Sequence, residues 1–248
     1  MQSLGLIGGT GLDCWGKATR SHDIGSIYGR PSAAVAEFQV ADLQVFFLPR
    51  HGEQHQIPPH AVNYQANIDV FRQLKVEGVI AVNAVGGISS RNQPGTLTVP
   101  DQLIDYTWGR AHTFSVTATD DLQHAEFAGP FDGRLRSLLI NTATAAAVDV
   151  VDGGCVGVTQ GPRLETAAEI RRFERDGCDL VGMTSMPEAP LAREAGLDYA
   201  SLCINANRAA GLEETPVTME AINATLVDAM VRVRKLLDQF FVEFSNAR

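Results

Sequence analysis

The decamer Gly78-Val-Ile-Ala-Val-Asn-Ala-Val-Gly-Gly87 decides the fold class. Gly78–Ala84 is apolar almost without interruption, as in a strand covered on both faces, and Val82–Gly87 closes it with a tight glycine turn. Similar runs recur at Leu4–Ile7, Val35–Val40, Val45–Leu48, Gln102–Tyr106, Cys155–Thr159, Leu180–Met183 and Tyr199–Ile204. Helical stretches alternate with them at Asn63–Lys75, Arg134–Ala147, Thr166–Arg175, Pro187–Ala195 and Met219–Phe244. The last carries Ile222, Leu226, Met230, Val233, Leu237, Phe240 and Phe244 at helical spacing. The alternation predicts a single α/β domain over residues 1–248, with a mixed central sheet flanked by helices and functional groups at strand ends.

The 248 residues are 45% hydrophobic and 20% charged, which is enough apolar material for a substantial core. A net charge of -9 sets aside nucleic acid and anionic membranes as partners, although a local cluster of cations can still hold a small anion. Cys14, Cys155, Cys178 and Cys203 form no C-x-x-C pair and read as reduced thiols. Met1-Gln-Ser-Leu-Gly5 is not a signal peptide, and no run is long enough to span a membrane, so the expected location is the cytoplasm.

Two apolar runs end in groups suited to an oxyanion. Leu6-Ile-Gly-Gly-Thr-Gly11 offers free backbone N–H groups and a hydroxyl, and Leu48-Pro-Arg-His-Gly52 delivers a guanidinium fork beside an imidazole. Other readings of these segments fail on particular residues. The third glycine of a dinucleotide fingerprint would fall at Cys14, and Ala18 stands where a P-loop needs a hydroxyl. His51, His55 and His60 occupy a proline-rich loop without an H-E-x-x-H helix, so no metal site is expected. Three further strand exits carry polar groups: Gln160-Gly-Pro-Arg-Leu-Glu165, Gly182-Met-Thr-Ser-Met-Pro-Glu188 and Cys203-Ile-Asn-Ala-Asn207.

With Asn63-Tyr-Gln-Ala-Asn67, these segments make the chain resemble the trimeric purine nucleoside phosphorylases nearly end to end, and most of all their methylthioadenosine phosphorylase branch. The resemblance implies that fold and phosphorolysis, in which phosphate attacks the anomeric carbon of a nucleoside and the purine departs. It implies no cofactor or metal, only phosphate as co-substrate, and a homotrimer or a dimer of trimers. Carried over residue by residue, Thr10, Arg50, His51, Thr184 and the Ala84 N–H bind phosphate, together with Asn83, which stands where the adenine-acting branch has threonine. Met183 lies under the ribose, and His124 reaches a neighbouring subunit's sugar. Asn207, Arg208, Ala209 and Glu165 surround the base, and Arg50, His51 and Asn207 carry the catalysis.

Substrate choice turns on Glu165, Asn207, Met219 and Ile222. Adenine-acting members of the branch have aspartates at the positions of Asn207 and Ala209 and a small residue at Glu165. A carboxamide at Asn207 can donate to O6 of a 6-oxopurine and accept from N7–H, while an ionised Glu165 accepts from N1–H and repels the bare N1 of adenine. A mismatched buried polar pair costs about 1–3 kcal/mol, or roughly tenfold to a hundredfold in preference. Met219 falls where phosphorylases of ordinary nucleosides place a histidine, with Ile222 a turn further on, and both suit a 5′-methylthio group. The expected substrate is therefore S-methyl-5′-thioinosine.

Plainer roles remain open at this stage. Thr10 and Thr184 could be helix caps, Arg50 a structural ion pair, Glu165 a helix-start charge, and Met183 and Met219 core residues. The rival activities are an inosine/guanosine phosphorylase, a methylthioadenosine phosphorylase with a changed base pocket, and a non-catalytic purine sensor.

Overall fold

The computed structural model describes residues 2–116, 124–214 and 217–247. Its strands are β1 (Gln2–Gly8), β2 (Arg20–His22), β3 (Val35–Val40), β4 (Leu43–Pro49), β5 (Gly78–Gly87), β6 (Leu97–Val99), β7 (Gln102–Asp105), β8 (Val150–Asp152), β9 (Cys155–Val158), β10 (Leu180–Gly182) and β11 (Asp198–Arg208). The helices are α1 (Tyr64–Gln73), α2 (Arg134–Ala145), α3 (Ala167–Arg175), α4 (Ser185–Glu194) and α5 (Met219–Asn246). All eleven strands join one mixed sheet in the order β2-β3-β4-β1-β5-β10-β9-β7, with β11 lying along β5 and carrying β6, which in turn carries β8.

The expected alternation of strands and helices is present, and its register explains the unbroken apolar runs. Leu6, Ile80, Val82, Leu202 and Ile204 face a core shared with α2 and α5. The intervening Ile7, Val79, Ala81 and Tyr199 face a second core shared with α1 and α4. Consecutive strand residues point to opposite faces, so strands covered on both sides must be apolar at every position.

Strand β5 organises the site. One edge pairs with β11 along nearly its whole length. The other edge pairs with β1 at Val79–Ala81 and with β10 only at Gly86 and Gly87. The edge between them is open, and the strand exits gather around that gap.

Two local expectations need correction. Gly86 and Gly87 do not turn the chain but continue β5, paired with β10 on one side and with Asn207 and Arg208 on the other. A Cβ on Gly87 would sit 1.7 Å from the Asn92 carbonyl oxygen, so the glycine serves close backbone approach. The strands β2, β6 and β8, three residues each, were not anticipated, because segments such as Arg20-Ser-His22 carry no apolar run and are held by their neighbours' ladders.

Candidate active site

A cavity of about 530 Å3 opens at the gap beside β5. Thr10 comes from the turn after β1, Arg50 and His51 from the turn after β4, and Ala84 from β5 itself. Glu165 follows β9, Met183 and Thr184 follow β10, Asn207 and Ala209 come from the end of β11, and Met219 and Ile222 from the start of α5. Elements far apart in the chain thus bring most of the expected residues to one wall.

Arg50 is 1% exposed, and its guanidinium is gripped from behind. Nε and Nη2 donate to the two carboxylate oxygens of Glu188, the latter at 2.8 Å, and Nη1 donates to the Val82 carbonyl at 3.1 Å. Glu188, itself fully buried, also accepts from the Tyr199 hydroxyl at 3.0 Å. Arg50 is therefore both a buried ion pair and a lining residue, with one hydrogen on each terminal nitrogen left for a ligand. A Cβ on Gly9 would lie 2.7 Å from Nη1, so only glycine lets the β1 turn pass this close. Alternate residues of a strand present their peptide groups to the same edge. The Val82 carbonyl faces Arg50, and the Ala84 N–H therefore faces the same gap.

His51 donates Nδ1–H to the Ile57 carbonyl at 2.8 Å, because a carbonyl can only accept; this leaves Nε2 for the cavity. Burial, reinforced by the Arg50 charge, pushes its pKa from 6.5 down to about 4. Between these values the unfolded chain binds a proton that the folded chain does not. Stability is thus complete above pH 6.5 and is lost as the pH falls through about 4. In phosphate-free urea unfolding, lowering the pH from about 6.5 to about 4.5 should cost the wild type about 2–3 kcal/mol more than it costs His51→Gln. Equal losses in the two proteins would show that His51 does not titrate this way.

At the other end of the cavity, Glu165 accepts from the Thr159 hydroxyl at 2.7 Å, and burial raises its carboxyl above the usual range despite that bond. The cap of α3 is made without it, by a complete capping box of Thr166 and Glu169. Asn207 follows a β-bulge in β11, where the pairing with β5 shifts register between Asn205 and Asn207. The bulge re-aims the chain at the cavity. One amide hydrogen of Asn207 is spent on the Arg208 carbonyl at 2.6 Å, leaving one donor and Oδ1. Met219 is 62% exposed at the mouth, and Ile222 is buried below it, so Met219 is not a core residue.

Two expected residues point elsewhere. Asn83 stands behind the cavity: its amide donates to Ser201 Oγ at 2.7 Å and its Oδ1 accepts from the Thr184 hydroxyl at 2.9 Å, so it positions Thr184 instead of facing a ligand. The Arg208 guanidinium turns away to the carbonyls of Ile88, Ser89 and Asn92. His124, expected at a neighbouring subunit's sugar, is exposed and outside this cavity. Conversely, sequence reasoning left Glu188 and Tyr199 without a role, although Pro187-Glu188 was part of the resemblance. His55 has no signal in the sequence beyond a metal-ligand type. His55 lines the cavity, 3.4 Å from the Thr10 hydroxyl and 3.2 Å from Asp13. Among the described residues, no group of three or more His, Cys, Asp or Glu side chains could hold a metal ion. No described helix is long and apolar enough to cross a membrane.

One cavity at a strand gap thus joins a guanidinium, an imidazole and two hydroxyls to a carboxylate and a carboxamide. The model of the phosphorylase superfamily matches residues 4–242, and the chain belongs to that family. It is 48% identical to a protein of Xanthomonas campestris named as a probable S-methyl-5′-thioinosine phosphorylase, over 92% of each chain. It is 46% identical to a protein of the same name from Xylella fastidiosa, over 96% of this chain and 97% of that one. The structure of methylthioadenosine phosphorylase from Schistosoma mansoni in complex with adenine superposes with a TM-score of 0.95 at 31% identity, covering 100% of this chain and 93% of that one.

Proposed function

We propose that this chain cleaves S-methyl-5′-thioinosine with inorganic phosphate, giving hypoxanthine and 5-methylthioribose 1-phosphate. It is a pentosyltransferase of the nucleoside phosphorylase type, and the names borne by its relatives agree with this substrate. The observation that carries the reading is that Glu165 and Asn207 line the same cavity as Arg50, His51 and Thr184.

In this reading phosphate sits against the Thr10 hydroxyl, the free Arg50 hydrogens, Thr184 and the Ala84 N–H, and donates its own P–OH to the bare Nε2 of His51. The ribose lies over Met183, and the methylthio group rests on Met219 and Ile222. A phosphate oxygen bonds to the anomeric carbon as the bond from that carbon to N9 breaks. The electron pair passes into the purine, and N7 takes up a proton from solvent, balanced by the one that the attacking monohydrogen phosphate gives up. Asn207 Oδ1 accepts that N7–H while its free amide hydrogen is donated to O6, and Glu165 accepts N1–H. These contacts strengthen as charge builds on the leaving base, which is where binding energy lowers the barrier. The proposed assembly is a homotrimer, as the family resemblance implies. Trp108 and Leu164, 73% and 45% exposed, are apolar surface that a neighbour could cover.

The test is to incubate the purified protein with methylthioinosine or inosine, with and without phosphate. Hypoxanthine should form only with phosphate, and faster from methylthioinosine. Release without phosphate would mark a hydrolase, and faster release from inosine would remove the 5′ assignment of Met219.

A further inference from the structure

Arg110 lies in the segment after β7, outside the cavity lining. We propose that Arg110 is a positioning residue that locks the exits of β9 and β10 to each other, and so holds the base-reading and phosphate-binding ends of the cavity at a set separation. The proposal rests on the placement of Glu165 at the base argued above.

The geometry is saturated. Nε donates to Gln160 Oε1 at 3.2 Å. Nη2 donates to the backbone carbonyls of Thr159 at 3.2 Å and Gln160 at 2.8 Å. Nη1 donates to the carbonyls of Met183 at 2.8 Å and Met186 at 2.5 Å. A guanidinium has five N–H donors, and each has an acceptor here. No hydrogen remains for substrate, so the role is indirect.

The acceptors stand at the right places. The ladder between the two strand exits ends with the Thr159 N–H on the Gly182 carbonyl at 2.8 Å. Beyond it the chains part, one toward Glu165 and the other toward Thr184 and Glu188. Arg110 bridges that parting. Thr159 also holds Glu165 through its hydroxyl, and Met186 precedes the Pro187-Glu188 step that grips Arg50. The guanidinium further lies 5.4 Å from the ring centre of Tyr64, whose hydroxyl donates to the carbonyl of the lining residue Pro59 at 2.8 Å. Four inward-pointing carbonyls need a planar, multiply donating cation, and an ammonium with three donors cannot match the fork.

Arg110→Ala and Arg110→Lys test this by kcat/KM on methylthioinosine and methylthioadenosine. For Arg110→Ala, turnover of methylthioinosine should fall roughly 100-fold and its preference over methylthioadenosine roughly tenfold, because Glu165 loses its fixed position. Added guanidinium ion should restore part of both, and Arg110→Lys should fall between the two proteins. A loss shared equally by both substrates, or activity within about threefold of wild type, overturns the proposal. If the alanine variant does not fold, the same ratio is read on Arg110→Lys. Glu165→Gln run alongside separates the two readings. An unchanged preference there overturns the base-pocket assignment and this proposal with it. A collapsed preference there with an unchanged one in the Arg110 variants overturns the Arg110 role alone.

Discussion

Glu188→Ala should unfold about 3–5 kcal/mol more easily than the wild type and lose almost all phosphate-dependent turnover. Arg50 is 1% exposed and Glu188 is fully buried, so removing the carboxylate strands a guanidinium where water cannot reach it. Val82 alone cannot satisfy it. The guanidinium must either leave its place, taking the phosphate donors with it, or remain as an uncompensated buried charge. Tyr199→Phe removes only the hydroxyl that donates to Glu188, and should cost about 1 kcal/mol with the phosphate site largely intact. Urea denaturation of the two variants, with the KM for phosphate measured on each, checks both expectations. If Glu188→Ala costs less than the tyrosine change, the ion pair is not what holds Arg50.

The parts of this arrangement that were legible in the sequence share a physical cause. Strands buried on both faces leave unbroken apolar runs, which is why β1, β4, β5, β9, β10 and β11 could be located and their exits expected to converge. The groups at those exits, Arg50, His51, Glu165, Thr184 and Asn207, followed from residue type together with family resemblance, and the structure brings them to one cavity. What stayed hidden depends on direction instead of identity. Asn83 and Arg208 occupy the right strands, but their side chains are committed to Ser201 and Thr184 in one case and to three carbonyls in the other. The bulge that aims Asn207 has no signature of its own. Arg110 acts almost wholly on main-chain oxygens, which no side-chain motif encodes.

The second large effect concerns the base. The double variant Glu165→Ser/Asn207→Asp should invert the preference from methylthioinosine to methylthioadenosine. In the proposed binding mode Glu165 is an acceptor for N1–H and Asn207 a donor for O6. The variant removes the first and replaces the second with an acceptor suited to an exocyclic amine. The variant thus removes two mismatches against the aminopurine and creates one against the oxopurine, each worth about 1–3 kcal/mol, so the ratio of kcat/KM values should move by roughly 1,000-fold or more. The side chains are close enough in function for the effects to couple, and the single variants should be measured beside the double. Glu165 also adds a pH signature. Burial holds its carboxyl above the ordinary range, and the protonated form can donate to the N1 of an aminopurine. Preference for the oxopurine should therefore weaken as the pH falls toward that raised value. The Glu165→Ser single variant should lose this dependence.

These expectations share one claim, that a carboxylate and a carboxamide at the far end of a phosphate pocket select a keto purine. The most direct measurement is the wild-type ratio of kcat/KM for S-methyl-5′-thioinosine to that for methylthioadenosine, at saturating phosphate and neutral pH. The arrangement of Glu165 and Asn207 predicts a ratio of roughly 100 or above. A ratio near one, or one that favours methylthioadenosine, would contradict it.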